Sequence, residues 1–135
     1  MAAAKHAPAL ARVLYVDDEP DIREVVEMAL GLTGALTVKT CGSGIDALGL
    51  LTDYRPDLVL LDVMMPGLDG PATLARMRND AALCHIPVVF MTAKALPQEV
   101  DRFMSLGAIG VISKPFDPML LAKRVQEIWA SAMST

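Results

Sequence analysis

Short apolar runs alternate with helical stripes five times along the chain. Residues 12–16, Arg12-Val13-Leu14-Tyr15-Val16, read as strand one. Pro20 then falls where a first helical turn accepts proline. Ile22, Val25, Val26, Ala29 and Leu30 follow at helical spacing, and Gly31 and Gly34 close that helix. Residues 36–40 give strand two. Ser43 is placed to cap helix two, with Asp46 as a weak capping-box partner and Ala47, Leu48 and Leu51 facing inward. Pro56 stops that helix ahead of strand three at 57–61. Pro71 starts helix three after the Gly67–Gly70 loop, with Leu74, Met77 and Ala75 on its inner side. Pro87 precedes strand four at 88–91, and Pro97 opens helix four, which Leu106-Gly107 ends. Residues 109–112 form strand five. Asp117 and Pro118 then start helix five, with Leu121, Val125, Ile128 and Trp129 at helical spacing.

The pattern is (βα)5, an α/β fold. The strands carry continuous apolar runs rather than an apolar–polar alternation, as in a parallel sheet buried on both faces. Right-handed crossovers place helices on both sides of such a sheet. The doubly wound five-stranded form has strand order 2-1-3-4-5, with its ligands beyond the carboxyl ends of strands one and three. Residues 1–11 are expected to be a flexible lead, 12–131 the domain and 132–135 a tail. On this reading no output domain follows helix five and the chain stands alone, although an excised piece of a longer hybrid kinase would look the same.

Composition narrows the function. With 12 Lys+Arg against 16 Asp+Glu the net charge is −4, and no basic stripe points to nucleic acid. The richest apolar stretch, Leu58-Val59-Leu60-Leu61, is cut by Asp62, far short of the ~20 residues of a membrane span. The alanine-rich start is broken by Lys5, His6 and Pro8 before a signal-peptide core forms, so the cytoplasm is the expected compartment. Cys41 and Cys84 make no CxxC pair and are expected to stay reduced, and His6 and His85 have no zinc-ligand spacing.

Polar residues at the strand ends carry the chemistry. Asp17 and Asp18 follow strand one, Asp62 ends strand three, Thr92 ends strand four and Lys114 follows strand five. Three carboxylates at one rim repel; at ~5 Å and an effective dielectric of ~20 each pair costs on the order of 3 kcal/mol. A hard divalent cation removes that cost, and Mg²⁺ accepts carboxylates together with waters and phosphate oxygens. Cation, ammonium and hydroxyl are the parts that hold a phosphoryl group in transfer. A carboxylate is itself a competent nucleophile, and Asp62 lies centrally among these groups.

Val16-Asp17-Asp18-Glu19-Pro20, the stretch from Leu61-Asp62 to Asp69-Gly70, Met91-Thr92-Ala93 and Lys114-Pro115-Phe116 together resemble the receiver domains of bacterial response regulators, over about residues 11 to 131. The resemblance implies that Asp62 is phospho-acceptor and metal ligand. It also implies that Asp18 binds Mg²⁺ (with Mn²⁺ as a substitute), that Asp17 assists through water, and that the Met64 carbonyl completes the shell. Thr92 and the Ala93 amide would take phosphoryl oxygens, and Lys114 would pair with the phosphoryl group or with Asp62 before transfer. Met64 and Lys94 would tune the kinetics, and Pro115 would follow a cis bond. The implied donor is a phosphohistidine on a sensor histidine kinase or a histidine phosphotransfer protein. The implied output is a protein target met through the helix four, strand five and helix five face, with no independent enzymatic turnover.

Three other readings fit less well. A dehalogenase-type phosphatase needs an Asp-x-Asp pattern after strand one and a cap domain, whereas strand one here ends in adjacent aspartates. A flavodoxin-like flavin protein needs a phosphate loop where this chain has Asp17-Asp18-Glu19, which repels phosphate. A pure interaction module would not need the acids, the threonine and the lysine together. One departure stands out: many receivers carry an aromatic residue three positions before the strand-five lysine, where this chain has Val111.

Overall fold

A computed structural model describes residues 9–134. The strands are β1 (Arg12–Val16), β2 (Thr37–Cys41), β3 (Leu58–Asp62), β4 (Val88–Thr92) and β5 (Gly110–Ser113). The helices are α1 (Pro20–Gly31), α2 (Gly44–Tyr54), α3 (Gly70–Arg78), α4 (Pro97–Ser105) and α5 (Leu121–Met133). All strand pairs are parallel and the order is β2-β1-β3-β4-β5. This is the doubly wound, flavodoxin-like arrangement: the alternation of elements predicts the parallel, doubly covered sheet, and the strand order is the one that the family resemblance implies.

Because side chains alternate along a strand, the sheet separates two cores. Val13, Tyr15, Leu58, Leu60, Val89 and Met91 pack with α1 and α5 residues such as Val26, Leu30, Val125 and Trp129. Leu14, Val16, Val59, Leu61 and Phe90 pack with Leu51, Leu74, Met77 and Phe103 of α2, α3 and α4. The central strands β3 and β4 are buried throughout, whereas edge strand β2 is not.

Several local expectations need correction. β2, β3 and β5 each start one residue later than expected; at β3 this is because Asp57 leaves the strand. Its Oδ2 accepts from the amides of Ala11 and Arg12 at 3.1 and 2.8 Å. Those bonds and the burial of Leu10 tie down the end of the expected lead; residues 1–8 and Thr135 lie outside the described residues. Val25 is 40% exposed, because the buried stripe of α1 runs through Val26, Ala29 and Leu30 and Val25 falls at its rim. Ala75 is exposed as well, and Thr73 takes the inner position on α3. Ser43 caps α2 by accepting from the Asp46 amide at 3.0 Å. Asp117 does not cap α5. It closes a separate turn, accepting from the Met119 amide and, through its carbonyl, from the Leu120 amide, so the helix starts at Leu121 and runs to Met133.

Two glycines allow close packing where it matters. A Cβ on Gly70 would stand 2.4 Å from the carbonyl oxygen of Asp62, so only glycine lets α3 start against the end of β3. A Cβ on Gly110 would meet Ile128 at 2.7 Å, where α5 seats on β5.

Candidate functional site

Parallel pairing brings four strand ends to one rim. Val16 is level with Leu61, Asp62 with Met91, and Thr92 with Ser113. The residues that follow, Asp17 and Lys114, therefore flank Asp62. Carboxylate oxygens of Asp17, Asp18 and Asp62 lie within 4.8 Å of one another. An all-oxygen set at that spacing suits a hard cation rather than zinc or copper.

Lys114 partly neutralises the cluster. Its Nζ lies 2.8 Å from Asp62 Oδ1 and 3.2 Å from Asp17 Oδ2. The Lys114–Pro115 peptide bond is cis. Burial pushes the Asp62 carboxyl above the ordinary carboxylate value; Lys114 pulls it back, and Asp17 and Asp18 add to the rise. Burial disfavours the Lys114 ammonium, but Asp62 and Asp17 outweigh it and hold its pKa above the ordinary lysine value.

Each acid has a different degree of freedom. Asp17 is fully buried and held from several sides. Its amide donates to the Cys41 carbonyl at 3.1 Å and its carbonyl accepts from Arg23 Nη1 at 2.7 Å. Its Oδ1 accepts from the Glu19 amide at 2.9 Å, and its Oδ2 accepts from the Tyr15 hydroxyl at 2.5 Å. Asp62 gives Oδ1 to Lys114, which leaves Oδ2 as the second oxygen of that carboxylate. Asp18 faces solvent, and its carboxylate accepts no hydrogen bond among the described residues. One acid is fixed and two have oxygens to offer.

The remaining expected residues surround this cluster. Thr92 is buried, and its Oγ1 accepts from the Lys94 amide at 3.1 Å and donates to the Lys94 carbonyl at 3.3 Å. Ala93 and Lys94 are exposed. Met64, two residues beyond Asp62, is 78% exposed. Asp69 caps α3, accepting from the Ala72 amide at 2.8 Å. The cysteines stay outside the site and free, and burial pushes the Cys41 thiol up to about 11.

Tyr15 is the residue that a reading of strand ends overlooks. Its phenol is buried and bonded to Asp17, and burial, reinforced by that bond, pushes it well above the ordinary tyrosine range, so the hydroxyl stays a donor. The signal was available: Tyr15 precedes Asp17 by two, so the alternation of a strand puts both on one face.

Fold and site together match one family. The family model for the response regulator receiver domain covers residues 13–126. The chain belongs to the response regulator receiver domains. Such receivers serve phosphorylation-dependent signalling in two-component systems. Among curated relatives, this receiver is 36% identical over 118 residues to response regulator Rre1 of Synechocystis sp., covering 87% of the chain and 51% of the relative. It is 34% identical over 116 residues to the phosphate regulon transcriptional regulatory protein PhoB of Pseudomonas aeruginosa, covering 86% of the chain and 50% of the relative. The receiver thus spans about half the length of these relatives. Among solved structures, the chemotaxis response regulator CheY4 of Vibrio cholerae superposes with a TM-score of 0.79 at 30% identity, covering 89% of this chain and 99% of that one. The receiver domain of a signal transduction histidine kinase from Syntrophus aciditrophicus gives 0.76 at 31% identity, with 92% and 93% covered. No helix among the described residues is long and apolar enough to cross a membrane.

Proposed function

We propose that this receiver accepts a phosphoryl group on Asp62 from a phosphohistidine of a sensor histidine kinase or phosphotransfer protein, and signals through altered protein contacts. The observation that carries the reading is the Asp62 carboxylate itself: buried, paired with Lys114 at 2.8 Å, and grouped with Asp17 and Asp18 within 4.8 Å. A buried charge in an apolar strand needs such partners, and this set is the one phosphoryl transfer requires.

In the proposed transfer, Oδ2 of Asp62 attacks phosphorus and forms the O–P bond. The P–N bond of the donor breaks, and the histidine nitrogen keeps the electron pair. Asp18, Asp62 and the Met64 carbonyl would hold Mg²⁺, or Mn²⁺ in its place, with Asp17 reaching it through water. Bound there, the cation supplies positive charge against the acids and the phosphoryl oxygens. Lys114 shifts from the carboxylates to a phosphoryl oxygen, and the Ala93 amide and Thr92 hydroxyl take others. To do so Thr92 gives up its two bonds to Lys94, which couples the site to the loop leading into α4. Exposed Met64 and Lys94 border the mouth and set how readily water reaches the phosphoryl group.

The loop movement would reach the α4, β5 and α5 face, where Leu96, Met104, Leu106 and Leu120 are each between 42% and 55% exposed. A downstream protein docking there is the proposed output, in the cytoplasm, without independent substrate turnover. Val111 lines a hollow of about 350 Å³ there with Ala95, Phe116 and Leu120. With no aromatic ring at that position, Thr92 and the loop carry the switch.

Incubation with acetyl phosphate and Mg²⁺, followed by peptide mass mapping, tests the chemistry. One phosphoryl group should appear on the peptide carrying Asp62. A wild-type chain left unmodified would overturn the reading and favour a pure interaction module.

A further inference from the structure

The bonds around Asp17 differ in how well they can survive phosphorylation. Lys114 spans two carboxylates, at 2.8 Å to Asp62 and 3.2 Å to Asp17. A phosphoryl group on Asp62 brings new anionic oxygens beside the nearer partner. The ammonium is a compact charge on a flexible stem, so it follows them and loosens the longer contact first. The Tyr15 hydroxyl cannot follow. Its ring is wholly buried in the core shared with Leu60, Val26 and Leu30. Its bond to Asp17 Oδ2, at 2.5 Å, is the shortest of those made by that carboxylate, in the range of charge-assisted O–H···O⁻ bonds.

We propose that Tyr15 is a positioning residue for the acidic pocket: its hydroxyl keeps the Asp17 carboxylate aimed at the cation site while Lys114 turns to the phosphoryl group. The proposal rests on the phospho-acceptor reading above. Mg²⁺ demands near-ideal octahedral geometry, so an acid that reaches it through water must be held by neighbours that do not move. Tyr15 and the Glu19 amide bind different oxygens of Asp17, which fixes the carboxylate plane. Oδ1 keeps a lone pair for a metal-bound water, and Oδ2, which accepts from both Tyr15 and Lys114, regains one when Lys114 turns away. A phenylalanine in this place would fill the same volume and leave Oδ2 dependent on Lys114 alone.

The test measures Mg²⁺ affinity of the full chain by titration, for the wild type and Tyr15→Phe, alongside melting temperatures and acetyl phosphate labelling. Tyr15→Phe should weaken Mg²⁺ binding by roughly tenfold, the size expected for a lost partner of a metal-site acid. It should still label Asp62 when Mg²⁺ is raised in proportion. A variant that melts lower but binds Mg²⁺ as the wild type does would show a purely structural hydroxyl and overturn the proposal. A wild type that neither binds Mg²⁺ nor labels would instead overturn the phospho-acceptor reading, and this inference with it. A second measurement does not depend on the variant folding. In a Tyr54→Phe chain, Tyr15 is the one tyrosine left, since the protein has two. Mg²⁺ draws charge from Asp17 and weakens the phenol's bond, so the tyrosine absorption band should move to shorter wavelength. A band unmoved at saturating Mg²⁺ would also overturn the proposal.

Discussion

At Asp62, burial and two carboxylates act in one direction and one ammonium in the other. The sum leaves the folded-state pKa raised. A carboxyl in that position binds its proton more tightly folded than unfolded. Its contribution to stability therefore falls as pH rises from the unfolded value through the raised folded one, and the neutral protein bears the full cost. Asp62→Asn removes that charge, while Asp17 still holds Lys114. Without Mg²⁺ at neutral pH the variant should melt higher than the wild type, and the gap should close as pH falls through the raised pKa. Paired melts across that range check this; a gap that persists in acid would mean that the charge is not the cause. At this scale the acids, Thr92 and Lys114 are legible in the sequence because each follows a recognisable strand. Tyr15 is harder to see, since an aromatic residue inside a strand also reads as ordinary core and only its reach to Asp17 gives it a role.

Elements aim these residues, and their junctions are where small changes should be felt. α3 begins against the backbone of Asp62, with the Gly70 amide donating to the Val63 carbonyl at 3.0 Å. In Gly70→Ala the new methyl would face backbone atoms at 2.4 and 2.9 Å, which cannot swing aside. The helix must shift, at a cost of about 1–3 kcal/mol, and labelling of Asp62 should slow; denaturant unfolding and labelling rates read the two effects. A contrasting change lies at the far end of α2. Arg55 ends that helix in the left-handed region at φ 52, where a non-glycine residue is strained. Arg55→Gly should raise stability by about 1 kcal/mol without altering phosphorylation. An unchanged or lower unfolding midpoint would count against strain there. Element type is legible throughout, because five apolar runs alternate with five helical stripes. Boundaries are less so. Asp57 directly precedes the apolar run of β3 but spends its side chain on the amides of Ala11 and Arg12. Asp117-Pro118 is a sound helix start by local chemistry, yet that chemistry closes a turn and the helix waits for Leu121.

For the whole molecule, the proposed Mg²⁺ site at the acidic rim would link folding to cation binding. Mg²⁺ that binds the folded state alone stabilises it by mass action: at roughly ten times the dissociation constant the gain is about 1.4 kcal/mol, or on the order of 5 °C in a domain of this size. The melting temperature should therefore climb with Mg²⁺ in the wild type. The rise should shrink in Asp18→Asn, which removes an acid with no ion-pair partner among the described residues. Equal rises in both would place the cation elsewhere. The core is insulated from this chemistry, since the sheet divides it into two apolar layers and Asp17, Asp18, Asp62 and Lys114 gather at one end. Phosphoryl transfer can then alter the rim without unfolding the scaffold. The most direct test of the central claim uses a phosphohistidine donor carrying labelled phosphate, mixed with the wild type, with the wild type plus chelator, and with Asp62→Asn. Label should pass to the wild type, recover from the peptide containing Asp62, and fail to transfer in the other two mixtures. Stable label on Asp62→Asn, or transfer unaffected by removing the metal, would contradict the account.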